Sequence, residues 1–102
     1  MLTMATSFKA FLFIQDRCEP CNRTKQALRD AFDQSDHIEL IPFKDDEGLK
    51  TTIARDYSIE VTPTLIIVRP DGSEINRFKG SKNLPAVFLS KVARFLNTAN
   101  AA

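Results

Sequence analysis

The fold is decided by residues 9–21, which read KAFLFIQDRCEPC and place a strand-like run directly before two closely spaced cysteines. Lys9–Ile14 is rich in aromatic and β-branched side chains and carries apolar residues at odd and even positions alike. This pattern is typical of a central strand in a sheet that is covered on both faces. The sequence therefore predicts a buried strand that ends just ahead of Cys18 and Cys21.

An amphipathic helix is predicted to begin at the cysteines and to run to about Phe32. Apolar and small side chains recur at helical spacing along this segment, and polar or charged side chains occupy the opposite face. The first set is Cys21, Thr24, Ala27, Leu28, Ala31 and Phe32, and the second is Arg23, Lys25, Gln26, Arg29 and Asp30. Cys18 is the expected N-cap, and Cys21 is expected one turn inside the helix on its buried face.

Two cysteines at positions i and i+3 of a first helical turn can form a disulfide and can also separate into two thiols with little backbone movement. The unpaired N–H groups and the dipole of a helix N-terminus favour a thiolate, so we expect Cys18 to ionise more readily than a free cysteine. Cys18 is then the attacking sulfur, and Cys21 is the resolving sulfur, protonated until a mixed disulfide forms. Pro20 is tolerated in the first turn and stiffens the segment between the sulfurs.

Two other uses of the cysteine pair stay open from the residues alone. The same spacing serves half of a structural zinc site, but such a site needs four ligands and His37 is the single histidine of the chain. The pair could also be two small apolar residues at a helix start, although a partly exposed helix end is an unusual place for structural thiols. We expect redox chemistry with no metal and no other cofactor, and we assign no role to His37, which sits in a polar stretch before a strand.

Ile38–Phe43 is predicted to form a second strand, and Pro42 within it favours an edge position because proline cannot donate a ladder hydrogen bond. A shorter helix is predicted to follow, capped by Asp45 or Asp46. Its apolar stripe is expected to comprise Leu49, Ile53 and Tyr57, which recur at four-residue steps.

A β-hairpin and a last helix are predicted to complete the chain. Thr64–Arg69 is the most β-prone run, residues 70–73 (PDGS) supply a turn, and Glu74–Phe78 returns as a strand. The last helix is expected to be capped by Asn83, with Pro85 tolerated in its first turn. Its apolar stripe is expected to be Leu84, Val87, Phe88, Val92, Phe95 and Leu96.

These elements follow the order β-α-β-α-β-β-α, which predicts an α/β fold. A strand, a crossover helix and a second strand form a right-handed parallel unit, and the hairpin adds two antiparallel strands. The expected result is a four-stranded mixed sheet flanked by three helices. The expected aromatic core comprises Phe8, Phe11, Phe13, Phe43, Phe78, Phe88 and Phe95, together with Tyr57.

Length and composition exclude several classes of protein. The chain has 102 residues, of which 43% are hydrophobic and 26% charged, and a net charge of +1. We expect one domain over residues 1–102, with residues 1–7 as a frayed lead-in. The balanced charge argues against a nucleic-acid partner, and no apolar run approaches the roughly 20 residues that span a bilayer. The N-terminal residues show no pattern of a secretory signal, so we expect a cytoplasmic protein.

In this order of features the sequence resembles the thioredoxin-like superfamily, from Lys9 to Leu96. A strand leads into C-E-P-C at the start of a helix, and residues 61–65 (VTPTL) open a later strand. An Asp-Gly hairpin and then Gly80 precede the final helix. The resemblance implies a thioredoxin-like fold and a thiol–disulfide oxidoreductase.

The resemblance also implies roles for residues around the cysteines. Pro63 matches the family's cis proline, which lies against the disulfide, and Thr62 is implied to pair its backbone with an extended substrate segment. The expected catalytic residues are Cys18 and Cys21, and the expected substrate-contacting residues are Arg17, Glu19, Pro20, Thr62, Pro63 and Gly80. A cation at Arg17 favours the Cys18 thiolate, whereas the carboxylate of Glu19 opposes it.

The sequence departs from a full thioredoxin at several positions. Seventeen residues precede Cys18, which leaves room for the shorter core shared with glutaredoxins. Arg17 stands where the family usually has Trp, and Leu12 stands where it has a buried acid that accepts the proton of the resolving thiol. Lys44 matches that acid's lysine partner and lacks its mate. We hypothesise that Cys21 loses its proton through water or through Lys44, more slowly than in a full thioredoxin.

These features favour a monomeric, thioredoxin-type reductant of disulfide-containing proteins, with an upstream reductase or glutathione as electron donor and neither nucleic acid nor membrane as partner. A glutathione-dependent, glutaredoxin-like reductase is the nearest alternative, although residues 61–63 (VTP) and 80–83 (GSKN) differ from the usual glutathione-binding signals. A redox-silent binding module is the alternative from another class. It would hold a partner around Cys18, Thr62 and Gly80 without turnover.

Overall fold

The computed structural model describes residues 7–34 and 37–101, with side chains for all of these except residues 30–34. Most of the predicted lead-in over residues 1–7, and the side chains of Ala31 and Phe32, lie outside that description. The elements are β1 (Lys9–Ile14), α1 (Glu19–Gln34), β2 (Ile38–Pro42), α2 (Thr52–Asp56), β3 (Thr64–Val68), β4 (Glu74–Lys79), a 3-10 helix (Ser81–Asn83) and α3 (Ala86–Asn100). The predicted order of strands and α-helices is confirmed.

The strands form a four-stranded mixed sheet in the order β2-β1-β3-β4, as predicted. β1 pairs in parallel with β2 and antiparallel with β3, and β3 pairs antiparallel with β4. The two central strands, β1 and β3, are the two with continuous apolar character, because both of their faces are covered. Pro42 lies in the edge strand β2, where its missing N–H removes no ladder hydrogen bond.

Alternating side chains of β1 and β3 divide the core into two layers, one on each face of the sheet. The layer beneath α1 and α3 contains Ala10, Leu12, Leu28, Leu65, Leu89, Val92 and Leu96. The layer on the α2 side contains Phe13, Phe43, Ala54, Tyr57, Ile59 and Ile66. Each fully buried large apolar side chain contributes about 1.5–3 kcal/mol. The sheet is thus held between helices, and the end of β1 is fixed from both faces.

The sequence-based prediction for α2 is wrong in its start and in its cap. The helix begins at Thr52, and the N-cap is Thr51, whose hydroxyl oxygen accepts a hydrogen bond from the Ala54 N–H at 3.3 Å. Threonine is an ordinary N-cap residue, but the preceding acidic run is the stronger local signal in the sequence. The loop before Thr51 therefore decides where α2 starts.

Asp45 closes that loop instead of capping the helix. Its carboxylate accepts hydrogen bonds from the N–H groups of Glu47 and Leu49 at 2.9 and 3.0 Å. Such a side-chain bond to nearby backbone competes with helix formation. Leu49 is 60% exposed and lies outside the helix, whereas Tyr57 is buried as predicted.

Asn83 does not cap the last helix. It ends the 3-10 helix and donates from its amide to the Lys79 carbonyl at 2.7 Å, while Pro85 occupies the N-cap position of α3. The ring of Pro85 disfavours a helical conformation at the residue before it, and Leu84 accordingly lies outside the helix. The helix therefore begins at Ala86, with Pro85 as its N-cap.

The buried stripe of α3 is also shifted from the predicted one. Its buried residues are Leu89, Val92, Ala93 and Leu96. Val87 is 67% exposed and Phe95 is 45% exposed, so the prediction is wrong for both. Phe95 covers only the edge of the core, where its ring meets Phe8 edge-on.

The remaining aromatic core predictions hold to different extents. Phe13 and Phe43 are buried, and Phe8, Phe11, Phe78 and Phe88 are partly buried and pack against the two layers.

Over residues 7–34 and 37–101, none of the helices has the length and apolar character needed to cross a bilayer.

Candidate active site

Cys18 ends the short connection from β1 and caps α1. Its carbonyl accepts the first helical hydrogen bond from the Asn22 N–H at 3.0 Å, and its Sγ accepts from the Cys21 N–H at 3.2 Å. This is N-cap geometry with sulfur in place of the usual oxygen. Arg17, in a left-handed conformation with φ of 55°, turns the chain from the strand into the helix.

Cys18 and Cys21 are joined in a disulfide. Cys21 is fully buried on the inner face of α1, whereas Cys18 is half-buried. The spacing predicted this difference, because a residue three positions inside an amphipathic helix faces the core. A partner in solution therefore reaches Cys18 and not Cys21.

The Thr62–Pro63 segment lies against the cysteine pair. The Cys18 Sγ lies 3.7 Å from the Thr62 hydroxyl oxygen and 4.0 Å from the Thr62 carbonyl oxygen. The Thr62–Pro63 peptide bond is cis, and Pro63 is buried. The segment reaches this place because it leads into β3, the neighbour of β1 in the sheet.

Gly80 lies next to Pro63 on the other side. Its N–H donates to the Pro63 carbonyl at 2.8 Å, which extends the pairing of Thr64 with Lys79 by one step. Gly80 has a φ of 83°, a conformation that side chains disfavour, and an added Cβ would meet nothing within 4 Å. The surface beside Pro63 is open at this point.

The other predicted contact residues lie at the start of α1 or just before it. Arg17 and Glu19 are exposed, and Pro20 is half-buried in the first turn of α1. Exposed charges are screened by water and salt, so their influence on Cys18 is small beside that of the fixed N–H groups of the helix.

Gln15 is a site residue that the sequence reasoning missed. Its side-chain Nε2 donates a hydrogen bond to Thr62 Oγ1 at 2.9 Å. The hydroxyl of Thr62 was missed as well, since only its backbone was assigned a role. No local sequence pattern marks this contact, because it depends on the register in which β1 pairs with β3.

Leu12 and Lys44 lie in different environments: the first is in the core and the second is at the surface. Leu12 is fully buried in the core layer shared with α1, so the position of the missing acid is apolar. Lys44 is exposed after β2 and lines a surface cavity of about 460 Å³ with Gln15 and Asp16. The hypothesis that Cys21 loses its proton slowly stays a prediction.

Thr24, one helical turn beyond Cys21, carries the one buried side-chain polar atom without a hydrogen-bond partner among the described residues. The residue is 1% exposed, and its hydroxyl oxygen is buried. Across the described side chains, His, Cys, Asp and Glu residues form no group of three that could hold a metal ion.

Comparison with known proteins gives a result for the fold alone. No family model matches the sequence, and no curated protein matches it. Reduced thioredoxin pre-protein of Schistosoma mansoni superimposes with a TM-score of 0.66 at 19% identity, over 89% of this chain and 80% of that chain. For thioredoxin f of spinach chloroplast the TM-score is 0.66 at 21% identity, with 89% and 80% covered. For a thioredoxin-fold protein of Helicobacter pylori it is 0.67 at 18% identity, with 91% and 70% covered.

The neighbours share the fold over most of this chain, and in this chain the cysteine pair lies at the start of α1. The chain therefore has the thioredoxin-like fold, with a disulfide-forming C-x-x-C pair.

Proposed function

We propose that the protein is a thiol–disulfide oxidoreductase that reduces disulfide bonds of target proteins through a reversible Cys18–Cys21 dithiol/disulfide pair. One observation carries the proposal: a half-buried sulfur at a helix N-terminus is bonded to a fully buried sulfur three residues later. An accessible sulfur can attack a target, and a sheltered one can then resolve the product. This asymmetry is what a two-step exchange requires.

The first step is attack by the Cys18 thiolate on one sulfur of the target disulfide. A bond forms between Cys18 and that sulfur, the target S–S bond breaks, and the other target sulfur leaves as a thiolate that takes up a proton. The Cys21 N–H, whose nitrogen lies 3.2 Å from Cys18 Sγ, and the dipole of α1 favour the anionic sulfur before attack.

The second step resolves the mixed disulfide. Cys21 loses its proton, and its thiolate attacks the Cys18 sulfur, so the bond to the target breaks and the second target sulfur leaves and is protonated. Two electrons have then passed from the cysteine pair to the target, and the Cys18–Cys21 disulfide has formed. Because Cys21 is held within one turn of Cys18, this attack competes well with attack by thiols in solution.

We place the extended target segment against Thr62, Pro63 and Gly80. The Gly80 N–H is already bonded to the Pro63 carbonyl, so Gly80 offers open space and not a free donor. Arg17, Glu19 and Pro20 at the start of α1 complete the proposed contact surface. We further propose that residues 1–102 form one domain and that the protein acts as a monomer.

The oxidised pair must be reduced again, either by the dithiol of an upstream reductase or by two glutathione molecules that become one glutathione disulfide. We propose a cytoplasmic reductant. Both cysteines of the chain belong to the Cys18–Cys21 pair, so the chain carries no separate structural disulfide of the kind that is common in secreted proteins. A reductant should have a reduction potential close to that of thioredoxin, about −270 mV. A strong disulfide oxidant has a reduction potential of about −120 mV. Equilibration in glutathione buffers measures this potential, and a value near the second figure would contradict the direction proposed here.

Insulin reduction with dithiothreitol tests the proposal. The wild-type protein should accelerate the reaction, and both Cys18→Ser and Cys21→Ser should abolish the acceleration. The two variants form a matched pair, because Cys21→Ser should accumulate a mixed disulfide with the target while Cys18→Ser should not. A rate that does not depend on Cys18 would overturn the proposed function and favour a redox-silent binding module.

Glutathione dependence is tested separately. Reduction of a glutathionylated peptide by glutathione needs one reactive cysteine, whereas reduction of insulin through this pair needs two. If Cys21→Ser keeps its rate in the glutathione assay, the glutaredoxin-like alternative holds. Loss of both activities supports the dithiol reductant.

A further inference from the structure

Gln15 and Thr62 face each other where β1 ends and β3 is about to begin. Phe13 pairs with Thr64 in the antiparallel register, and the same register continued by two residues brings Gln15 opposite Thr62. Gln15 Nε2 donates to Thr62 Oγ1 at 2.9 Å, and both side chains are half-buried. The backbone pairing of β1 with β3 ends two residues before this pair, and the side-chain hydrogen bond joins the two chain segments beyond it.

The hydroxyl of Thr62 has one hydrogen and two lone pairs. One lone pair accepts from Gln15, which leaves the hydrogen for a different acceptor. Cys18 Sγ lies 3.7 Å from the same oxygen, within hydrogen-bonding range for the large sulfur atom. A continuous path of hydrogen bonds thus leads from the amide of Gln15 to the sulfur.

We propose that Gln15 is a positioning residue for Cys18, holding the Thr62 hydroxyl in the orientation that donates a hydrogen bond to the Cys18 thiolate. Thr62 makes the contact with the sulfur, and Gln15 acts through Thr62. The inference rests on the proposed function only in taking Cys18 as the reactive sulfur.

The thiolate then has donors from two separate elements. The Cys21 N–H belongs to α1, and the Thr62 hydroxyl belongs to the loop before β3. Hydrogen bonds to the charged form of an acid favour its ionisation, and charge-assisted bonds are about twice as strong as neutral ones. Without the amide of Gln15, the hydroxyl turns toward water for part of the time and the thiolate loses part of its second donor.

The test is the rate of iodoacetamide alkylation as a function of pH, in a Cys21→Ser background where Cys18 is the single thiol. Gln15→Met removes the donor at similar size and should slow alkylation at neutral pH by about threefold. Gln26→Met makes the same chemical change at an exposed position of α1 and should have no effect. The exposed charges nearest in sequence, Asp16, Arg17 and Glu19, stay unchanged in every variant.

A second background separates the relay from any direct effect of Gln15. Thr62→Val removes the hydroxyl and should also slow alkylation. Adding Gln15→Met to Thr62→Val should then produce no further loss, because the two side chains act on the sulfur as one unit. Equal losses from Gln15→Met with and without the Thr62 hydroxyl would overturn the proposal, as would no loss in either background.

Gln15→Glu tests independently whether the side chain at position 15 must donate the hydrogen bond to the Thr62 hydroxyl. A carboxylate accepts and cannot donate, so it draws the Thr62 hydrogen toward itself and away from the sulfur. The slowing should therefore exceed that of Gln15→Met and should shrink in the Thr62→Val background to the part caused by charge alone. If Gln15→Met does not fold, as judged by circular dichroism, Gln15→Asn, too short to reach Thr62, is used under the same criteria.

Alkylation reports on Cys18 directly, without any protein target. A chain that fails to reduce insulin yet shows the non-additive pattern would contradict the proposed function and leave the role of Gln15 intact. A chain that reduces insulin but shows additive alkylation effects would support the proposed function and overturn the role of Gln15.

Discussion

The Cys21 N–H lies 3.2 Å from Cys18 Sγ, so the sulfur proposed to attack the target is also the N-cap of α1. The atom that we propose for catalysis therefore also contributes to helix stability. A cap acceptor that becomes anionic binds its N–H donors more strongly, because charge-assisted hydrogen bonds are stronger than neutral ones. Reduction of the disulfide and ionisation of Cys18 are in this way coupled to the start of the helix.

The double role of Cys18 predicts a difference between two inactive variants. Cys18→Ser keeps a cap acceptor and Cys18→Ala removes it, while both lose the disulfide. The serine variant should be more stable by about 1 kcal/mol, the usual contribution of an N-cap side chain. Urea unfolding followed by circular dichroism measures the difference. Equal stabilities would contradict a capping role for the side chain at position 18.

Thr24 and Thr64 form a second matched pair, since both are buried at 1% exposure and differ in hydrogen bonding. The Thr64 hydroxyl donates to the Val61 carbonyl at 2.7 Å, whereas the Thr24 hydroxyl has no partner among the described residues. Thr24→Val should raise the free energy of unfolding by about 1 kcal/mol, and Thr64→Val should lower it by about as much. Thermal and urea unfolding of the two variants measure both signs, and a loss of stability in Thr24→Val would indicate a buried partner for that hydroxyl.

Tyr57 predicts how stability changes at alkaline pH. Its hydroxyl donates to the Gly72 carbonyl at 2.6 Å, and burial, followed by the charges of Asp56, Glu74 and Asp71, raises its pKa above the ordinary 10.0. Above that pH the unfolded chain releases the proton while the folded chain keeps it. The stabilisation is therefore complete below about pH 10 and is lost as the pH rises through the folded pKa.

Tyr57→Phe should lower the free energy of unfolding by about 1 kcal/mol at neutral pH, since the Gly72 carbonyl loses its donor. The variant should also show a shallower decline of stability above pH 10 than the wild type. Tyr57 is the single tyrosine and the chain has no tryptophan, so ultraviolet absorbance of the tyrosinate follows its titration directly. Parallel declines in the two proteins would contradict the raised pKa.

The apolar character of position 12 predicts the rate of the second reaction step. Leu12 is fully buried in the layer beneath α1, where a full thioredoxin has an acid. Leu12→Asp should speed resolution by Cys21 and change the pH dependence of turnover, whereas Leu12→Asn, similar in shape but unable to take a proton, should not. Both should cost about 2–5 kcal/mol of stability, because a polar group replaces leucine in the core. No change in the pH dependence with Leu12→Asp would contradict the hypothesis of slow deprotonation of Cys21.

The errors in the sequence-based fold have a common cause. The acidic run at Asp45 is a stronger local cap signal than Thr51, yet the carboxylate bonds to its own loop. Phe95 fits the helical spacing of α3, yet the row that contains Leu89 and Leu96 is buried and Phe95 stays 45% exposed. Local pattern gives the existence of a helix, but its phase against the rest of the molecule depends on where neighbouring segments hold it.

The sequence by itself determined the alternation of elements, the edge position of the Pro42 strand, and the pairing of an accessible with a buried cysteine at a helix start. These follow from side-chain period and backbone chemistry over a few residues. Only the tertiary structure decided that Gln15 meets the Thr62 hydroxyl and that this hydroxyl meets Cys18. Those contacts join segments more than forty residues apart, and their register is set by the hydrogen-bonded pairing of β1 with β3.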